Sequence, residues 1–75
     1  MEYKFIIKKR FDNGLVDVLK TGVSKDYIGV FANVVSEDMS IDITPASVLR
    51  HTTNLGFGYH SYRVWDYSYI LEIIK

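Results

Sequence analysis

Two histidines, nine carboxylates and no cysteine are the groups with which this 75-residue chain can do chemistry, and their spacing bounds what that chemistry is. His51 and His60 lie nine apart across a glycine-containing loop, which matches no helical metal pair and brings no third ligand. Glu37, Asp38 and Asp42 form the densest acidic group. Asp38 and Asp42 can join a hard-cation site only with help from backbone oxygens, and the segment lacks the glycine and ligand spacing of a calcium loop; a solvated helix end is the simpler reading. Gly56-Phe57-Gly58 is a fragment of a nucleotide-binding fingerprint without its third glycine or its preceding strand, so it reads as a turn entering a strand. With no nucleophile or base placed near a partner, the expectation is a protein that is not an enzyme and holds no metal or cofactor.

Binding chemistry is better represented. Lys4, Lys8, Lys9 and Arg10 are the one basic cluster, and Lys4, Lys8 and Arg10 share a strand face. Such a row can touch phosphates, and the aromatic run Tyr59, Tyr62, Trp65, Tyr67, Tyr69 can stack unpaired bases. Against this, the formal net charge is zero and the pI about 6.7, which gives no overall field to collect nucleic acid. Tyr, Trp and Arg are also the side chains that dominate protein hot spots. Tyr59, His60, Tyr62, Arg63, Trp65 and Tyr67 crowd six hot-spot or aromatic groups into nine positions. Strand alternation lets Tyr59, Arg63, Trp65 and Tyr67 act together, with His60 and Tyr62 on the other face. Those first four are the expected partner-binding residues.

The elements that must position them are organised around Ser24 to Glu37, where Tyr27, Ile28, Phe31, Val34 and Val35 fall on one helical stripe. Ser24 stands at the expected N-cap, Asp26 in the first turn, and Val23 and Ile28 are spaced as a hydrophobic staple. Gly29 and the valines lower helix propensity, so this helix needs a sheet to pack on.

From Glu2 to Phe11 the chain alternates as a strand, Asn13-Gly14 turns it, and Leu15 to Leu19 returns, ending at Thr21-Gly22. A two-residue turn sets Phe11 opposite Val16 and Arg10 opposite Asp17; a three-residue loop with a bulge sets Lys9 opposite Asp17. The apolar pattern favours the first, which gathers Phe5, Ile7, Phe11, Val16 and Val18 on one face. Met39 to Ile43 alternates as a short strand. Thr44-Pro45 starts a second helix of about two turns ending near His51, and Thr52 to Gly58 reads as loop. Gly58 to Val64 and Tyr67 to Ile74 read as strands joined at Trp65-Asp66, although Tyr67, Ile70, Leu71 and Ile74 also fit a helical stripe.

The expected fold is therefore a single α+β domain over residues 1–75: an antiparallel sheet of the N-terminal hairpin, the short middle strand and the C-terminal strands, packed on one main helix, with a short second helix. Its expected core is Phe5, Ile7, Val16, Val18, Ile28, Phe31, Val35, Ile41, Ile43, Leu71 and Ile73. Without cysteine there is no disulfide to staple it, and with no apolar run of about 20 residues there is no membrane span; the expected location is the cytoplasm. A homodimer is expected through sheet edges or the aromatic face. Size and composition are those of small inhibitors and antitoxin-like accessory proteins of phages and plasmids, an analogy resting on those two properties alone. The expected function is a non-catalytic module that binds and occupies a larger protein. The alternative is a single-stranded nucleic-acid binder using the basic row and an aromatic platform.

Overall fold

Where the backbone hydrogen bonds of each segment go determines which of these expectations hold. The computed structural model describes residues 2–54 and 58–74, so the nucleotide-fingerprint fragment falls largely outside the described residues. Five strands form one antiparallel sheet: β1 (Tyr3–Phe11), β2 (Val16–Ser24), β3 (Thr52–Asn54), β4 (Tyr59–Val64) and β5 (Tyr67–Ile74), in the order β2-β1-β5-β4-β3. Two helices, α1 (Tyr27–Met39) and α2 (Pro45–His51), complete an α+β fold. The C-terminal segment is strand, as its β-branched and aromatic content favours, and β5 lies between β1 and β4 with partners on both sides.

Tyr3 and Lys9 of β1 and Tyr69 of β5 all meet α1, which fixes the face those strands turn toward the helices. Phe5, Ile7, Tyr69 and Leu71 from the sheet, Phe31, Ala32 and Val35 from α1, Val48 from α2 and Ile43 between the helices form the buried cluster. Ile28 and Ile73 are half-buried at its margin, whereas Val16, Val18 and Ile41 are exposed, contrary to expectation.

The valines are out because the hairpin holds both candidate registers. From Tyr3 to Ile7 the pairing is the one a two-residue turn sets; from Lys8 to Arg10 it is that of the three-residue loop, with Lys9 opposite Asp17. A β-bulge with Leu19 as the extra residue reconciles them. At the tip, Gly14 takes φ +94° and donates its N–H to the Phe11 carbonyl, while the Leu15 N–H is accepted by the Asn13 side chain. Beyond the bulge, Val16 and Val18 pair with Arg10 and Lys8 and point away from the helices. Nor does Thr21-Gly22 end the strand. The Phe5 ring lies over Gly22, where an added Cβ would sit 3.1 Å from it, so glycine there serves a close approach within β2.

α1 starts two residues later than expected. Asp26 caps it by accepting from the Gly29 N–H at 3.0 Å, and Ser24 supports the cap by accepting from the Asp26 N–H. Gly29 suits this geometry, since a Cβ there would meet the Asp26 carboxylate. The helix runs on to Met39, into the stretch expected as a middle strand. Ser40 closes it at φ 58°, with N–H bonds from Ser40 to Glu37 and from Ile41 to Ser36 in a Schellman arrangement. The Ser36 hydroxyl then binds both the N–H and the carbonyl of Ile43. Those backbone groups are satisfied locally, so no ladder forms. α2 matches expectation, with Thr44 as N-cap and Pro45 in its first turn. β3 occupies part of the segment expected to be loop.

Candidate functional site

Among the described residues, α1 and α2 cover one side of the sheet and no element covers the other, its open face. Its outward positions follow from the cross-strand pairs. Val16, Val18, Thr21 and Val23 project from β2, Lys4, Ile6, Lys8 and Arg10 from β1, Ser68, Ile70, Glu72 and Ile74 from β5, and Tyr59, Ser61 and Arg63 from β4. An antiparallel sheet facing water normally turns polar side chains outward. Here β2 turns out three valines, with Val16 49 % and Val18 60 % exposed, and β5 turns out Ile70 and Ile74. Ile70 is nonetheless buried without belonging to the core cluster; its cross-strand neighbours are Lys8 and Ser61, and a lysine stem covers apolar surface well.

The basic row thus shares this face as expected. Lys8 is paired with Glu72 at 2.9 Å, and Lys4 and Arg10 join no ion pair among the described residues. At one end of the face, Arg63 grips Asp12 with both terminal guanidinium nitrogens, at 3.1 and 3.2 Å, and donates to the Trp65 carbonyl at 3.1 Å. The Asp12 N–H donates to the Asp66 carbonyl, so the β1–β2 and β4–β5 turns are tied together. Trp65 stands on that tied turn 91 % exposed, and Leu15 is exposed at the neighbouring turn.

The four expected partner-binding residues do not form one surface. Tyr59 and Arg63 are on the open face and Trp65 is at its end, but the two-residue turn reverses the chain, so Tyr67 pairs with Val64 and faces the helices. There Tyr67 packs at 5.5 Å from Tyr69 and 6.2 Å from Phe11. Tyr62 and His60 also face the helical side, with His60 stacked against Tyr27. The aromatic platform drawn from strand residues is therefore turned mostly inward. Val16 and Val18 are not legible as a surface from the sequence because their outward orientation depends on the bulge.

A second cluster lies under α1. The Lys9 ammonium sits 4.4 Å from the Tyr67 ring centre, within reach of Phe11 and Tyr69, and 2.8 Å from Asp38, whose carboxylate also accepts from the Tyr69 hydroxyl. The hydrogen bonds from Lys9 and Tyr69 hold the Asp38 carboxyl below its usual range, and that with Asp38 raises Lys9. Burial, with the bond to Asp38, pushes the Tyr69 phenol well up. Every polar group here is satisfied by another, which describes a structural lock. Asp42 and His51 are exposed elsewhere, burial lowers the pKa of His60, and no group of three or more metal-ligating side chains forms among the described residues. The described helices include none long and apolar enough to cross a membrane. No protein-family model, curated protein or solved structure matches this chain.

Proposed function

We propose that this chain is a small non-catalytic protein-binding module that works by occupying a larger protein, in the manner of an inhibitor or antitoxin-like accessory protein. The observation that carries this reading is the open sheet face, whose outward positions hold valine and isoleucine where polar residues belong, with Trp65 standing almost fully exposed on the tied turns at its end. A tryptophan held on a braced turn loses little freedom on binding, which is what makes a rigid aromatic an efficient anchor. Arg63 lies on the same face next to that turn, and Tyr59 lies at the far end of β4. The proposal takes the protein as cytoplasmic, in keeping with its lack of cysteine.

Photocrosslinking groups placed at Val18 and at Trp65 in the native host test the reading. Crosslinks from both positions to one protein support it. A crosslinked protein whose affinity survives Trp65→Ala within twofold would remove Trp65 from the site. The competing reading, single-stranded nucleic-acid binding, has the shared row of Lys4, Lys8 and Arg10 in its favour and the inward-facing tyrosines against it. Affinity for an oligothymidylate that fell steeply with salt and was lost when the row was changed to serine would overturn the protein-binding proposal.

A further inference from the structure

We infer that the open face takes an acidic amphipathic helix of another protein, an inference that rests on the protein-binding reading and names its partner class. The two edges of the sheet are poor docking sites. β3 is three residues long, and β2 carries a bulge and turns Asp17 and Lys20 toward the helical side, devices that discourage strand addition. What remains is the face, and the face offers side chains only, because the backbone groups within it are spent on the ladders. A docking segment must therefore satisfy its own backbone, which a helix does.

Charge selects the character of that helix. Lys4, Lys8 and Arg10 run along β1 through the middle of the face, over about 20 Å at strand rise, which three to four helical turns span. Valines of β2 lie on one side of that row and supply the accessible aliphatic surface, while Ile70 on the other side is buried. Glu72 is the sole carboxylate among the outward strand positions, against Lys4, Lys8, Arg10 and Arg63, so within a chain of zero net charge this face is net positive. Two copies meeting face to face would set these cations against one another, which disfavours a second copy as the occupant. An apolar stripe flanked by glutamates matches both the aliphatic surface and the row.

The test uses the full chain, isotope-labelled, titrated by NMR with a helix-forming peptide of 18 residues that carries a leucine stripe flanked by glutamates, with its lysine-flanked counterpart, and with oligothymidylate. The glutamate peptide is expected to shift the amides of Ile6, Val18 and Ile70. Lys4→Glu with Arg10→Glu, both exposed positions, is expected to weaken it at least tenfold and to transfer binding to the lysine peptide, with an unchanged melting temperature confirming the fold. No shift on the open face with the glutamate peptide would overturn the inference. Equal binding of the two peptides would overturn the acidic partner while leaving a protein-binding face, and binding of the oligothymidylate alone would overturn both.

Discussion

Asp38 ties α1 to Lys9 of β1 and Tyr69 of β5, and the consequences of removing it follow from what it leaves behind. Asp38→Ala strands the Lys9 ammonium among aromatic rings and leaves the buried Tyr69 hydroxyl without its acceptor, at an expected cost of about 2 to 3 kcal/mol in denaturant unfolding. Removing both charges with Lys9→Met and Asp38→Ala together should cost less than the two single changes summed, because the stranded cation is gone. The same groups set the pH profile. Asp38 is lowered in the fold, so its contribution is present above about pH 4, near its unfolded value, and is lost as pH falls through the lower folded value. His60 is also lowered, by burial, so its contribution fades as pH drops below its unfolded value near 6.5. Tyr69 and Lys9 are raised, so theirs hold below about pH 10 and are lost as pH rises beyond it. Thermal melting from pH 4 to 9 should therefore show an early acid limb that His60→Phe flattens; an unchanged limb would clear His60 of it.

Among the elements, α1 is the one whose loss the domain cannot survive. Phe31 is fully buried between the sheet and the rest of the core, and Phe31→Ala should cost about 3 to 5 kcal/mol, close to the whole stability of a domain this small. A variant melting within a few degrees of the parent would deny α1 its central place. The cap is a smaller matter: Asp26→Ala frees the Gly29 N–H and should cost about 1 kcal/mol. β2 is tied to the rest through β1 and has an exposed outer edge, so amide exchange is expected to be faster there than in β5, which is paired on both sides.

For the molecule as a whole, the net positive charge of the open face makes association a question of sign. Light scattering is expected to give a mass near 8.7 kDa up to high concentration, since both sheet edges are guarded and the open face repels its own copy. A dimer mass would instead return to the edge or aromatic pairing that composition alone leads one to expect. Trp65→Ala should leave stability within about 0.5 kcal/mol, because the side chain is exposed, while costing partner affinity about 30-fold or more. Loss of both together would make Trp65 a structural residue.

Local signals in the chain were enough for the α+β class, for both helices, for a hairpin turning at Asn13-Gly14 and for the two C-terminal strands, because periodicity, caps and turn residues act between neighbours. The shared face of Lys4, Lys8 and Arg10 was legible for the same reason, since alternation within one strand needs no partner. Tertiary structure decided the rest. Val16 and Val18 sit outside because a bulge at Leu19 changes the face of everything between it and the turn, and a bulge is set by pairing with β1. Met39 to Ile43 alternates like a strand, yet Ser36 and the end of α1 take its hydrogen bonds first. Tyr67 parts from Tyr59 and Arg63 because a two-residue turn reverses the parity that counting along the sequence carries through. Which side of the sheet is left open depends on where α1 comes to rest, and that is settled by contacts between residues far apart in the chain.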